Sequence, residues 1–198
     1  QWSSSAASDV YKRQEYDALH GYSSFGEEIS GFPFQSTDRV RSSPAVGDVD
    51  NDGDLEIVFG NSSGKLYIVN HDGSQQLTYT ILGFIEGSPA LVDMDGDQDL
   101  EVVFTTTTTS GGQLYSIHHN GITMSGFPKE LGSMWTGPAV HDLDNDGVYD
   151  IVCTTYDKQI YAIDVNGGAI KPGFPVTLEG RLDISPTVVD VDSDGDYE

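Results

Sequence analysis

The sequence is poor in cysteine and in basic residues, and it has no long hydrophobic run. Its one cysteine, Cys153, cannot form an internal disulfide, and its place in an apolar strand is typical of a small core residue. Nine lysines and arginines stand against 32 acidic residues, which gives a net charge of −23. Nucleic-acid binding needs a basic surface, so this composition argues against it. No apolar stretch approaches the roughly 20 residues of a membrane-spanning helix.

The acidic residues are concentrated in four nine-residue loops of one design. The copies are 48–56 (DVDNDGDLE), 93–101 (DMDGDQDLE), 142–150 (DLDNDGVYD) and 190–198 (DVDSDGDYE). Carboxylates at positions 1, 3, 5 and 9 and a carbonyl at position 7 are the hard oxygen donors that calcium requires. The candidate metal ligands are Asp48, Asp50, Asp52, Asp54, Glu56, Asp93, Asp95, Asp97, Asp99, Glu101, Asp142, Asp144, Asp146, Val148 (through its carbonyl), Asp150, Asp190, Asp192, Asp194, Asp196 and Glu198.

Simple solvated turns and EF-hands are the two alternatives to a calcium loop of this kind. Asp, Asn and Gly favour turns for local backbone reasons alone, but acids at the same odd positions in four copies exceed what a solvated turn needs. An EF-hand requires flanking helices and an acidic ligand at position 12. Position 12 is Phe59, Phe104 and Cys153 in the first three copies, each inside an apolar run, so the chain leaves each loop as a strand.

A larger unit repeats around each loop. A short strand opened by proline precedes the loop, at 44–46, 89–91, 138–140 and 186–188. Two strands follow in the complete copies, at 55–59 and 66–69, 100–104 and 114–117, and 149–153 and 160–163. A turn and, in three places, Gly-Phe-Pro then mark a fourth, outer strand. Four short strands in about 48 residues, without helical periodicity, are the signature of a β-propeller blade.

These residues resemble the FG-GAP or VCBS repeats of integrin α-chain propellers and of bacterial surface proteins. The stretch 43–58 carries the resemblance most fully, and the likeness covers about residues 15–198. It implies an all-β fold, calcium as the cofactor, and calcium ligands at loop positions 1, 3, 5, 7 and 9. The second loop departs from the pattern, because Gln98 occupies the glycine of position 6 and Gly96 comes two residues early. A side chain is costly where a turn needs positive φ, so this site is expected to be weaker.

The two ends of the sequence belong to no complete repeat. Residues 4–14 (SSAASDVYKRQ) resemble a translated sequencing adapter, so residues 1–14 are interpreted as a non-native leader and excluded from the fold. Residues 15–198 then hold three full repeats and parts of two more, which predicts a β-propeller fragment, an open arc of about four four-stranded blades. The chain is interpreted as an internal piece of a longer protein. The predicted core contains Val46, Ile57, Phe59, Ile68, Val102, Val140, Ile151 and Ile163.

The function expected from the sequence is calcium binding by a repeat module of a secreted or cell-surface protein, in adhesion or ligand binding. The alternative is the propeller of a calcium-dependent polysaccharide lyase, which the acidic loops also resemble. No catalytic set is visible, and the histidines are interpreted as solvated turn residues.

Partner binding is expected on the face opposite the calcium loops, where the repeats diverge. The candidate ligand is a protein or a carbohydrate. Trp135 and the lengthened turn at Thr105–Thr109 are the candidate contacts. The alternative is that Trp135 packs between blades and that the threonines are a slack tip.

Overall fold

The structure, a computed structural model, describes residues 10–14, 17–195 and 197. Every regular element in this part of the chain is a β-strand, and all pairings are antiparallel. The strands form one three-stranded and three four-stranded sheets, in each of which neighbours in sequence are neighbours in space. No described helix is long and apolar enough to cross a membrane.

The strand bounds repeat from sheet to sheet. The first sheet contains β1 (Val10–Gln14), β2 (Ala18–Tyr22) and β3 (Phe34–Gln35). The second contains β4 (Ala45–Gly47), β5 (Glu56–Gly60), β6 (Lys65–Asn70) and β7 (Gln75–Thr80). The third contains β8 (Ala90–Val92), β9 (Glu101–Thr105), β10 (Gln113–Ile117) and β11 (Lys129–Glu130). The fourth contains β12 (Ala139–His141), β13 (Asp150–Thr154), β14 (Gln159–Asp164) and β15 (Val176–Thr177).

These strands lie within one or two residues of the positions expected from the sequence. The turns after the third strands are tight because Gly73, Gly121 and Gly167 adopt φ values of +81°, +84° and +86°, which glycine reaches without a Cβ clash. The Gly-Phe-Pro segments precede the outer strands β3, β11 and β15, as predicted. Each of the first three acidic loops joins the first strand of a four-stranded sheet to the second.

The hydrophobic core lies between neighbouring sheets, in three layers. Strands β5, β9 and β13 are buried on both faces, so their residues alternate between the two adjacent layers. In β5, for example, Ile57 and Phe59 pack with Leu19 of the first sheet, whereas Val58 packs with Phe104 of the third. The innermost strand β8 lies between β4 and β12, so the four-stranded sheets are arranged side by side around a common axis.

Val46 was predicted in the core, and that prediction is wrong, because its side chain is 43% exposed. Val46 pairs with Ile57 and therefore faces the first sheet. That sheet has three strands in the described residues, and the position matching β4 holds none of them. The expected strand at 186–188 also does not form. In the other copies this strand pairs with the one that follows its acidic loop, and the described residues include no such partner for the fourth copy.

Part of the segment interpreted as a leader forms regular structure. Val10–Gln14 pairs along its whole length with Ala18–Tyr22, from Val10 opposite Tyr22 to Gln14 opposite Ala18. Residues 1–9 lie outside the described part of the chain. The pairing concerns the conformation of this segment and does not bear on its origin.

Candidate metal centres

The four acidic loops share one backbone conformation, which their first aspartate fixes. In the first loop Asp48 accepts hydrogen bonds from the N–H groups of Asp52 and Gly53, both at 3.0 Å. Asp142 accepts from Asp146 and Gly147 at 3.1 and 2.8 Å in the third loop. Asp190 makes the corresponding contacts with Asp194 and Gly195 in the fourth loop. In the second loop Asp93 accepts instead from Gly96, at position 4, and from Gln98, at 2.7 and 3.2 Å. Each loop is therefore a closed turn held by its first aspartate.

Two residues of every loop adopt positive φ, at positions 4 and 6. In the first loop these are Asn51 (+56°) and Gly53 (+96°). The second loop keeps the same backbone with the residue types exchanged, because Gly96 has φ +80° and Gln98 has φ +81°. The cost expected from the missing glycine therefore falls on Gln98, and the turn is closed through the N–H of position 4 rather than that of position 5.

The acid at position 9 differs from the others because it is buried. Glu56, Glu101 and Asp150 are at most 1% exposed, and each accepts a hydrogen bond from the N–H of position 2, at 2.9, 2.8 and 3.2 Å respectively. Burial raises the pKa of Glu56 to about 7; the hydrogen bond from Val49 opposes this rise, and the charges of the loop aspartates add to it. Burial likewise raises the pKa of Glu101 and of Asp150.

Three of the predicted ligand carboxylates converge in every loop. Ligand oxygens lie within 4.8 Å of one another in the sets Asp48–Asp50–Glu56, Asp93–Asp95–Asp97, Asp142–Asp144–Asp146 and Asp190–Asp192–Asp194. The side chains of Asp54 and Asp99, at position 7, turn instead toward His71 and His119, at 3.8 and 2.8 Å. Asp196 and Glu198, predicted as ligands of the fourth loop, lie outside the described residues.

The donor chemistry of these loops fits a hard divalent cation. Asp50 Oδ1 and Asp150 Oδ1 are buried oxygens with no hydrogen-bond partner among the described residues. A buried charged oxygen without a partner is costly, and a cation in the loop would satisfy it. The donor sets consist of carboxylate oxygens, which calcium prefers, with the position-7 carbonyl available in each loop. The acidic clusters can therefore bind a metal ion.

Comparison with known proteins agrees with the repeat. Residues 48–104 match the family of FG-GAP-like repeats. The chain contains an FG-GAP-like repeat. The matched segment runs from the first residue of the first acidic loop into strand β9, so it includes both of the first two loops. No curated protein has a significantly similar sequence.

Solved structures share the fold of this chain over most of its length. The C-terminal domain of Pseudomonas aeruginosa PilY1 has a TM-score of 0.72 at 16% identity and covers 96% of this chain and 51% of its own. BamB from Moraxella catarrhalis has a TM-score of 0.64 at 20% identity, with 91% and 49% covered. BBS1N, solved in complex with ARL6DN, has a TM-score of 0.63 at 15% identity, with 87% and 50% covered.

The chain thus spans about half the length of these β-propeller structures. At such identities the likeness shows the fold alone. It confirms the prediction of an all-β propeller fragment built from four open, antiparallel sheets.

Sequence reasoning missed a second group of side chains that reaches the acidic loops. Gln76 donates to Asp50 at 2.8 Å, His118 lies 3.0 Å from Glu101, and Lys171 donates to both Asp144 and Asp150. All three come from the segment around the turn between the third and fourth strands. In an up-and-down sheet this turn lies at the same end as the loop between the first and second strands. That rule of topology could have located them.

The interpretation of the histidines as solvated turn residues is wrong for His118 and His119. Their side chains are about one-quarter exposed, and they lie 3.0 Å from Glu101 and 2.8 Å from Asp99. His118 also joins Asp95 and Glu101 in a group whose ligand atoms lie within 4.8 Å of one another. In the third loop the pair at the positions of Asp99 and His119 is Val148 and Val165, which pack in the same apolar cluster. Each loop therefore has its own set of neighbours.

At the opposite end of the sheets, Trp135 is 42% exposed, and Arg41 pairs with Glu86 at 3.5 Å. The lengthened turn is not the open loop expected from its sequence, since Thr105, Thr106 and Thr107 are all buried. Thr105 donates to the carbonyl of Thr136 and Thr107 to that of Met134. These threonines attach the third sheet to the chain that enters the fourth. Only the tip around Thr109 and Ser110 is exposed.

Proposed function

We propose that this chain is a calcium-binding β-propeller repeat module of a secreted or cell-surface protein, which acts in adhesion or in binding a protein or carbohydrate and is not itself an enzyme. The observation that carries the proposal is the convergence of carboxylates around a buried acid in the first loop. There Asp48, Asp50 and Glu56 present oxygens to one point, and Asp50 Oδ1 lacks a partner among the described residues. The lower-affinity calcium sites of extracellular modules have dissociation constants of about 10⁻⁴ to 10⁻³ M.

The ligands proposed are the side chains at positions 1, 3, 5 and 9 and the carbonyl at position 7. A bound ion would neutralise the mutual repulsion of these carboxylates and connect the first two strands of each sheet. Calcium bound only by the folded state adds RT ln(1 + [Ca²⁺]/Kd) to stability at each site. At a concentration of 100 Kd this amounts to about 2.7 kcal/mol for one site.

Thermal unfolding in excess chelator and in 10 mM calcium tests the proposal. We expect calcium to raise Tm by at least about 5 °C. Asp50→Asn should remove a large part of the increase, because it deletes a carboxylate at the centre of the first site. Glu179→Gln, which removes an exposed carboxylate outside the loops, should leave the increase unchanged. Equal Tm values for the unmodified chain in chelator and in calcium would contradict calcium binding.

The partner surface proposed is the face opposite the acidic loops, around Trp135. An exposed aromatic ring at the same end of the sheets as the Arg41–Glu86 pair offers the stacking surface that sugars and protein anchors use. Affinity electrophoresis in gels containing soluble cellulose-type or xylan-type polysaccharide provides the measurement. Retardation of the chain that Trp135→Ala abolishes would support this surface. Phe25→Ala removes a ring that is 90% exposed at the opposite end of the sheets and should leave the retardation unchanged. Retardation that survives Trp135→Ala would contradict this surface.

A further inference from the structure

The third acidic loop differs from the first two at position 9. The first and second loops have Glu56 and Glu101 there, whereas the third has Asp150, which is one methylene shorter. In the first loop Glu56 reaches the carboxylates of positions 1 and 3. In the third loop the converging set is Asp142, Asp144 and Asp146. In the second loop Glu101 converges with Asp95 and His118, whereas Asp150 belongs to no such group among the described residues, which leaves a gap between position 9 and the other ligands of the third loop.

The ammonium of Lys171 fills this gap. Its Nζ lies 2.8 Å from Asp144 Oδ2 and 2.9 Å from Asp150 Oδ2, so it bridges ligand positions 3 and 9. The Lys171 side chain is only 14% exposed and that of Asp150 is 0% exposed. Both distances are those of charge-assisted hydrogen bonds. A calcium ion coordinated by the same two carboxylates would lie between them at a similar distance from each oxygen.

The corresponding position in the neighbouring sheet is neutral. Lys171 and Met124 each stand two residues before the glycine of a Gly-Phe-Pro segment. The N–H of each donates to the third strand of its sheet, Met124 to Ser116 and Lys171 to Ala162, both at 2.9 Å. In the second sheet the side chain that reaches position 3 is the neutral amide of Gln76. The charged side chain of Lys171 thus stands at the third loop, whose position-9 acid is the shorter Asp150.

We propose that Lys171 is a tethered cation that takes the place of a divalent ion between Asp144 and Asp150. The third loop is then closed without metal and binds calcium more weakly than the first loop, which presents five acids and no lysine. Asp150 Oδ1, buried and without a partner among the described residues, shows that one ammonium does not satisfy the loop fully. This inference rests on the proposed function in one respect, that the first loop binds calcium. It also assigns weaker calcium binding to the third loop, whereas the sequence predicted a weaker site for the second loop and not for the third.

The test compares Lys171→Met with two controls. Lys171→Met reproduces the residue found at the same place in the third sheet and keeps an unbranched side chain without its charge. Lys171→Arg keeps the charge. Lys65→Met removes one positive charge at the end of β6 that lies away from the acidic loops. Each protein is titrated with calcium by isothermal titration calorimetry and is melted in excess chelator and in 10 mM calcium.

The expected effect of Lys171→Met on Tm differs between the two conditions. In chelator, Lys171→Met should lower Tm by about 5 °C or more, because a buried carboxylate loses its partner. In calcium the loss should disappear, and calorimetry should show either one additional site or a site at least about tenfold tighter. Adding Asp144→Asn to Lys171→Met should abolish that site. Lys171→Arg and Lys65→Met should behave like the unmodified chain.

Two results would overturn the inference. One is a Tm in chelator that Lys171→Met leaves unchanged, and the other is an unchanged calcium isotherm while Asp50→Asn still removes a site from the unmodified chain. Failure of the proposed function has a different signature, in which neither the unmodified chain nor Lys171→Met binds calcium. The melting comparison in chelator then still decides whether Lys171 acts as the cation of the third loop.

Discussion

The Gln98 backbone carries a conformational cost that the other loops avoid. At φ +81° it occupies the place of Gly53 and Gly147, whereas Gly96 occupies the place of Asn51 and Asn145. The left-handed region costs a residue with a Cβ roughly 1 to 2 kcal/mol, and asparagine tolerates it better than glutamine does. The second loop therefore has its glycine at the position that needs it less.

Gln98→Gly should accordingly raise the free energy of unfolding by about 1 kcal/mol. Gly96→Asn is the matched control, because it places in the second loop the residue that the first and third loops have at position 4, and it should change stability by less than about 0.5 kcal/mol. Chemical unfolding in guanidinium, with and without calcium, measures both effects. A loss of stability in Gln98→Gly would show that the Gln98 side chain stabilises the loop by another contact.

The buried Glu56 gives the metal-free chain an unusual dependence on pH. Its pKa is about 7 in the folded state against an ordinary value of 4.5, so the folded state binds the proton more tightly than the unfolded state does. In chelator, stability should therefore fall as pH rises from about 4.5 to about 7, and level off above that. The raised pKa values of Glu101 and Asp150 act in the same direction. Glu56→Gln should flatten the fall between pH 5 and 7.

Guanidinium midpoints at pH 5, 6 and 7 measure this slope in the two proteins. Glutamine can still accept the hydrogen bond from Val49. The two proteins therefore differ at this position only in the proton that Glu56 can bind. An identical slope in Glu56→Gln would assign the pH dependence to other groups. Because protons and calcium compete for the same oxygens, calcium affinity at the first loop should rise over the same pH range.

Among the elements, the turn between β9 and β10 connects two sheets through its threonines. Thr107 Oγ1 donates to the carbonyl of Met134 at 2.9 Å and accepts from its N–H at 3.0 Å, in a buried environment. One hydroxyl thus satisfies both the N–H and the carbonyl of Met134, as a neighbouring β-strand would. The same device occurs between Ser42 and Gly60, at 3.0 and 2.8 Å.

Thr107→Val should cost about 2 to 3 kcal/mol, because it keeps the shape of the side chain and leaves a buried N–H and a buried carbonyl without partners. Thr109→Val makes the same chemical change two residues away on the exposed tip and should cost less than about 0.5 kcal/mol. Equilibrium unfolding of the two variants provides the comparison. Equal effects would show that the contacts to Met134 contribute nothing specific to stability.

The elements differ in how far the sequence predicts them. The second strands β5, β9 and β13 are clear because both of their faces are buried, so a run of three apolar residues follows the loop acid in each. The environment of Val46 could not be predicted, since it depends on which strands surround the axis. The roles of Thr107 and Lys171 could not be assigned either. They depend on contacts between segments about 20 to 30 residues apart, which a local pattern does not record.

For the whole molecule, no sheet of the described residues packs on the side of the fourth sheet that carries Val152 and Ile160, and an apolar cavity there is lined by Phe174, Leu182 and Ile184. Ile184 is 72% exposed, and Val176, Leu178, Val189 and Val191, in the same stretch of chain, are between 38% and 73% exposed. Contiguous apolar surface of this kind drives association in water.

We expect the isolated chain to self-associate at micromolar concentrations, and Ile184→Glu to shift it toward the monomer in size-exclusion chromatography with light scattering. Leu82→Glu changes an isolated residue that is 90% exposed and should have no effect. Association unaffected by Ile184→Glu would exclude this surface as the contact.

The common orientation of the acidic loops makes the molecule an electric dipole. All four loops lie at one end of the sheets and contain most of the 32 acids, whereas the other end has charges of both signs, such as Arg41 and Glu86. Two such molecules approaching with their acidic ends together repel each other beyond contact, over a Debye length of about 8 Å at physiological salt. Ion binding would weaken this repulsion without any change of shape. The calcium concentration around the molecule would then set which of its ends can approach another surface.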